Sequence, residues 1–309
     1  MDKLGITYEW LKEARPDIIM IRMPAFGLSG PYRDYRSFGG GIEALCGHTW
    51  LWGYADVDKS LATTTLGQCD VASGTAAALA ALIALHHRRK TGQGQFIELA
   101  QIEVMTSHLG EAIMDYTMNQ RVQDTVGNRD IHGAAPCGNY RCQGDDRWVS
   151  ITVRNDQEWQ GFCRAIGDPE WTRSEKFATT LSRYRNQDEL DKLVESWTSR
   201  HDHYAVMLLL QKEGVAAAPI TDGAEAYEDP HLREIGLMQE VTHPEAGTHI
   251  YPGLAWTQAR TPNQIRRHAP CLGEDNEYVY KELLKVSDAE YAELEKEGHI
   301  GRDFAPHVV

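Results

Sequence analysis

Along the first hundred residues the apolar positions change period several times. Leu4, Tyr8 and Leu11 share one side of a helix predicted over residues 3–14, which Pro16 ends. Asp17 to Met23 is apolar almost throughout, the pattern of a buried strand, and a glycine-rich loop follows from Pro24 to Tyr35. Asp70 to Lys90 reads as the clearest helix in the chain, with Asp70 as its N-cap. From Ala72 to Leu85 it is small and apolar on nearly every face, which predicts burial. Arg88, Arg89 and Lys90 suit the negative end of its dipole, and Gly92 supplies a stop. Gln95–Ala100 then reads as a strand and Gln101 to about Arg121 as a second long helix. Helix, buried strand and glycine loop are the rhythm of an open α/β sheet. A parallel sheet hardly starts on a helix, so upstream segments are expected to be missing.

From Asn139 to Val153 the alternation predicts a β-hairpin that turns at Gly144-Asp145-Asp146. Helices follow near 156–166, 188–199 and 203–213, the first two opening on capping-box patterns at Asn155/Glu158 and Asn186/Glu189. The region 140–250 carries most of the tryptophans and reads as a separate α+β lobe. Thr242–Trp256 places turn residues between short β-prone runs. The tail predicts helices near 274–284 and 288–297, the second capped by Ser287 with Glu290 in register.

Composition changes this picture only by exclusion. A chain of 309 residues, 42% hydrophobic and 25% charged, has the balance of a soluble globular protein with a core of useful size. Its formal net charge of −14 disfavours nucleic acid and anionic membrane surfaces as partners. No signal peptide pattern opens the chain, and the apolar run Ala76–Leu85 is too short for a bilayer, so a soluble, cytoplasmic protein is expected. The six cysteines are scattered and read as reduced thiols. Cys137 and Cys142 lack a second pair at ligand spacing, and the thirteen histidines form no pattern, so no metal is expected.

Spacing alone reaches no further than an enzyme-like α/β protein, because no P-loop or GxSxG is present. Ordered motifs go further. TGQGQFIELAQIEV (Thr91–Val104) resembles the signature of the CaiB/BaiF, or family III, CoA-transferases, and AFGLSGPYRD (Ala25–Asp34) resembles their glycine loop. GNR (Gly127–Arg129) with APCGNYRCQGDDRWVSITV (Ala135–Val153) resembles the start of their small domain. GVAAAPI (Gly214–Ile220), DPHL (Asp229–Leu232) and APCLGEDNEYV (Ala269–Val279) follow in the family's order. The likeness runs from Met1 to about Ile300 and lacks the family's N-terminal segment.

The resemblance implies an active-site carboxylate at Glu103, where the family usually carries Asp. There it attacks an acyl-CoA carbonyl and is then converted to an enzyme-bound CoA thioester. Glutamate, with an unperturbed pKa near ~4.3, is ionised at neutral pH and needs no general base. In a helix's first turn the dipole favours its charge, and amides there are expected to serve a developing oxyanion. An acid in that position also fits the plain preference of helices. The family's usual tyrosine falls on Phe38, which has no proton to exchange, so a two-base racemase is disfavoured. Phe38 is read either as packing against the thioester end of CoA or as core. Arg36 matches a basic family position near the CoA diphosphate, a role that suits a guanidinium. Gly27 and Gly30 fit a backbone that approaches the ligand closely. Asn128 and Arg129 are read as shaping an acyl pocket or as ordinary turn residues.

The expected fold is α/β: a large Rossmann-like domain from 1–138 with 255–309, and a small α+β domain at 139–254. The family implies an intertwined homodimer, or a paralogous second subunit. The expected activity moves CoA from an acyl-CoA to a small organic acid, with CoA arriving as substrate. A CoA-ester isomerase on the same fold and an inactive truncated subunit remain open alternatives.

Overall fold

The computed structural model describes residues 2–61 and 67–304, and the chain falls into two compact units, Met1–Ile220 and Thr221–Val309. In the first unit a short helix, α1 (Tyr8–Ala14), starts where the Thr7 hydroxyl caps the Trp10 amide. It is shorter than its pattern predicts because Gly5 turns the chain at φ +70°. The strand β1 (Ile19–Arg22) comes next. After the glycine loop come α2 (Gly39–Cys46), the single turn α3 (His48–Leu51) and the long α4 (Gln68–Thr91). The strand β2 (Gln95–Glu98) pairs in parallel with β1, Ile19 facing Gln95 and Arg22 facing Glu98. These two strands make up their whole sheet among the described residues.

The predicted helix from Gln101 to Arg121 is two helices, α5 (Gln101–Ser107) and α6 (Gly110–Asn119). The break falls at His108-Leu109, ahead of Gly110. The second correction concerns α4. Its N-cap is Gly67 in the left-handed region (φ 56°), with Asp70 already inside the first turn. Of its residues only Cys69, Ser73 and Ala84 are buried, while Leu79, Leu82 and Ile83 are each about 60% exposed. By length and composition α4 is long and apolar enough to cross a membrane, which the ten-residue apolar run does not convey. Its stop is as expected: Gly92 adopts φ 72°, and Arg88 in the last turn pairs with Asp17.

The hairpin is β3 (Cys137–Arg141) with β4 (Trp148–Thr152), and β5 (Ala216–Ile220) adds antiparallel to β4. The helices α7 (Asp156–Ala165), α8 (Thr180–Arg185), α9 (Gln187–Thr198) and α10 (His203–Lys212) lie between β4 and β5 in sequence. Asn155 caps α7 as its pattern predicts, whereas Asn186 makes no such bond and turns its amide to the Ser182 carbonyl. Trp159, Phe162, Phe177, Leu190, Val194 and Leu210 pack with Val149 and Ile151 into the larger core. A second, smaller core joins Ile42, Cys69 and Met105, from α2, α4 and α5. In the second unit α11 (Gly223–Glu228) and α12 (Pro230–Glu234) precede the hairpin of β6 (Met238–His243) and β7 (Gly247–Pro252). A π-helical turn at Tyr278–Leu283 and α13 (Asp288–Lys296) follow, the latter with the expected Ser287/Glu290 capping box.

Candidate active site

Both parallel strands end at the same place, and the chain leaving each becomes part of one site, as is usual at the carboxyl edge of such sheets. Beyond the ladder, the Leu99 amide donates to the Arg22 carbonyl at 3.0 Å. The Gln101 and Ile102 amides then donate to the Pro24 and Ala25 carbonyls at 3.1 and 3.0 Å. The start of the glycine loop is thereby zipped onto the first turn of α5.

The loop is pinned a second time. The Leu28 amide donates to the Glu98 carboxylate. Gly27, at φ 91°, passes so close that a Cβ there would lie 3.2 Å from Glu98 Oε1 and 3.7 Å from Ala100 Cβ. Gly27 is thus fixed by both conformation and space. Gly30, at φ 81°, faces open space, so only its conformation demands glycine. Phe26, Tyr32 and Tyr35 close the loop on itself, with Tyr32 and Tyr35 stacked at 5.0 Å. Neither the Glu98 clasp nor this aromatic trio was foreseen. The signal for the trio was present in the spacing of three rings within one loop.

Glu103 occupies the third position of α5, and its side chain is exposed. The expected oxyanion donors are not available, because the first four amides of α5 are all engaged. Gln101 and Ile102 donate to the loop, while Glu103 and Val104 donate to the Ala100 carbonyl. Arg36 is exposed at the end of the loop. Phe38 is the N-cap of α2 and its ring is 93% exposed, so the core reading of this residue is wrong. Glu103, Arg36, Phe38, Gly27 and Gly30 all lie on the two segments that leave β1 and β2.

A cavity of about 870 Å³ is lined by His48, Trp52, Tyr54, Lys59, His108 and Asn128, among others. Glu103 is not among its lining residues, although His108, at the end of the same helix, is. Trp52 Nε1 donates to His48 Nε2 at 3.2 Å. Asn128 donates to the Tyr54 hydroxyl at 2.8 Å on this wall. Arg129 instead pairs with Asp188 and Asp191, away from the cavity.

The sequence model of CoA-transferase family III matches residues 1–276. The chain belongs to that family. This family III CoA-transferase is 29% identical over 295 residues to the succinyl-CoA–D-citramalate CoA-transferase of Chloroflexus aurantiacus, covering 96% of this chain and 72% of the relative. It is 30% identical to a probable CoA-transferase of Mycobacterium tuberculosis over 95% of this chain and 37% of that protein. Among solved structures, a CaiB/BaiF family protein from Brucella suis superposes with a TM-score of 0.79 at 25% identity, over 91% of this chain and 72% of that one. The enzyme is therefore a mixed α/β CoA-transferase whose substrates include a CoA thioester.

Proposed function

We propose that this CoA-transferase works through a covalent intermediate on Glu103. A Glu103 oxygen attacks the thioester carbonyl of the donor, the C–S bond breaks, and CoA leaves as the thiolate. The mixed anhydride is then attacked by the thiolate at the glutamyl carbonyl, releasing the donor acid and leaving a glutamyl-CoA thioester. The acceptor carboxylate repeats the sequence in reverse, forming acyl-CoA and restoring the Glu103 carboxylate. Each step exchanges one anionic nucleophile for one anionic leaving group, so no proton needs a carrier.

The observation that carries this reading is the place of Glu103. It is an exposed carboxylate in the first turn of the helix onto which the glycine loop is zipped. That position lets the loop hold a ligand against the nucleophile. The exposed Arg36 guanidinium suits the CoA diphosphate, the exposed Phe38 ring suits the thioester end, and Gly27 and Gly30 let the backbone approach. Relatives named for citramalate, L-malate and oxalate support a small dicarboxylic acid as acceptor. The exposed apolar side chains of α4 support assembly with a second chain, a homodimer in our reading. Relatives named as alpha and beta subunits keep a paralogous partner in play. The free thiols of all six cysteines support a reducing, cytoplasmic setting.

The test is mass spectrometry after incubation with an acyl-CoA and hydroxylamine, which converts an activated carboxyl to a hydroxamate. Glu103 is the residue expected to carry it, and Glu103→Gln is expected to keep the native circular dichroism spectrum while losing CoA exchange. A hydroxamate on another residue, or full exchange by the variant, ends this mechanism. Product formed only from the ester itself, with none in the added acid, moves the chain to the isomerase reading.

A further inference from the structure

A seven-residue helix has little stiffness of its own, and α5 is followed at once by the break at His108-Leu109. Its N-cap, Ala100, offers no side chain to the first turn. Backbone bonds to the Pro24 and Ala25 carbonyls hold one side of that turn, and a second hold comes from side chains.

The structure supplies a relay of side chains from two other helices. Gln101, the first residue of α5, donates from Nε2 to Asp70 Oδ1 at 2.7 Å. Asp70 lies in the first turn of α4, whose own N-cap, Gly67, also has no side chain to offer. The missing cap comes from α2: Glu43 Oε1 accepts from the Cys69 amide at 3.2 Å. Glu43 is completely buried, and its other oxygen has no hydrogen-bond partner among the described residues. A buried carboxylate with one orphaned oxygen carries a desolvation cost, so its survival marks a structural demand at this point. Facing it, Gly39 leaves room for the junction, since a Cβ there would lie 3.2 Å from Cys69 Sγ and 3.2 Å from Gly67 Cα. The small core of Ile42, Cys69 and Met105 lies among the same three helices.

We propose that Asp70, acting through Gln101, is a positioning residue for Glu103, and that Glu43 fixes the end of α4 that carries Asp70. The inference rests on Glu103 as nucleophile and adds what orients it. Glu103 follows Gln101 by two residues on the same turn, so the side-chain tether of Gln101 adds to the backbone bonds of the loop in setting the rotation of that turn. The tether does not touch the substrate. Its loss lowers the frequency of productive attack without weakening acyl-CoA binding.

Steady-state exchange kinetics with acyl-CoA and an acceptor acid test this in Gln101→Met, Asp70→Ala, Asp70→Asn and the double variant Gln101→Met/Asp70→Ala. Each of the first two is expected to lower kcat about 10- to 100-fold, with KM for acyl-CoA within about threefold, the scale set by ångström-level misplacement. The double variant is expected to be no slower than the slower single one, because both break one tether. Asp70→Asn keeps the Oδ1 acceptor and is expected to recover kcat to within about threefold of the parent enzyme. An unchanged kcat in Gln101→Met, or losses that multiply in the double variant, overturns the proposal. So does a kcat loss that only tracks a lowered melting temperature. If Asp70→Ala does not fold, the kcat and KM of Gln101→Met decide alone. A parent enzyme with no exchange activity would sink the nucleophile reading itself, an outcome distinct from an active enzyme indifferent to Gln101.

Discussion

Gly94 is the most severe packing constraint on the parallel strand pair, at the end opposite the candidate site, and replacing it with alanine tests how far the site depends on those strands. It joins the end of α4 to β2 and is not held in the left-handed region, so the constraint is space alone. A Cβ at this position would fall on the Ile18 carbonyl oxygen and lie 2.5 Å from the Asp17 carbonyl carbon, where ordinary contact needs 3.4–4 Å. The obstructing atoms are backbone, so no side chain can swing aside. The strands must separate by roughly 1 Å at the first rung of their ladder, Ile19 against Gln95. Overpacking of this kind costs about 1–3 kcal/mol. The displacement also travels along β1 and β2 to the Pro24 and Ala25 carbonyls that hold α5, so a shift of that size is expected to cost on the order of 10²-fold in turnover. Urea denaturation followed by far-ultraviolet circular dichroism reads the first effect, and CoA exchange reads the second. Gly74→Ala is the control, since nothing lies within 4 Å of a Cβ there and helix propensity favours the change by about 0.5–1 kcal/mol. A Gly94→Ala enzyme with the parent's midpoint and with exchange within twofold would refute this account of the strand pair.

Two further outcomes follow from contacts away from the site. Arg183 is wholly buried, donates to the Ala135 and Phe177 carbonyls, lies over Trp159 and pairs with Asp156 at 2.9 Å. Asp156→Asn is expected to cost about 1–3 kcal/mol, less than a fully buried pair because Asp156 is largely exposed. Hydrogen bonding from Arg183 holds the Asp156 carboxyl below its ordinary pKa, so the charged contact contributes fully above the unfolded value near ~3.9 and is lost as pH falls through the lower folded one. The gap between the urea midpoints of parent and variant should therefore hold from pH 7 to about pH 4 and close as pH falls further, and a gap that stays constant below about pH 4 would count against the ion pair. Ser287→Ala removes the hydroxyl that accepts from the Glu290 amide and is expected to cost about 1 kcal/mol locally. Hydrogen exchange in the first turn of α13 should quicken, and unchanged protection there would show the capping box to be idle.

Where a local rule decides the structure, the sequence was a good guide. The parallel strand pair, the hairpin, α7, α9, α10 and the Ser287 cap each follow from a period or a cap within a few residues. The failures share a different cause. Asp70 looks like an N-cap because it precedes the apolar run, yet Gly67 can adopt φ 56° and the helix starts earlier, leaving Asp70 free to bind Gln101. The split between α5 and α6 interrupts a pattern that is helical on both sides, with Gly110 the only local hint. Glu43 reads as one more helix acid until the fold brings the Cys69 amide to it across 26 positions. The apolar faces of α4 announce a need for cover, and composition cannot say what provides it. The order of motifs pointed to Glu103; the contacts among Gln101, Asp70, Cys69 and Glu43 beside it are long-range and left no local trace.

The glycine loop and the signature strand are separated by about 70 residues, yet neither is complete alone. The exposed Glu98 carboxylate accepts from the Leu28 amide, and the chain at Gly27 passes within van der Waals reach of it. A Cβ there would press on that carboxylate at 3.2 Å, and the φ of 91° already favours glycine, so the clasp adds to a demand the backbone makes. The same clasp brings the Pro24 and Ala25 carbonyls onto the α5 amides, removing those amides from catalysis while fixing the helix that carries Glu103. What the amides lose as oxyanion donors they return as rigidity. On the proposed mechanism, the donors for a developing oxyanion come from outside the first turn of α5.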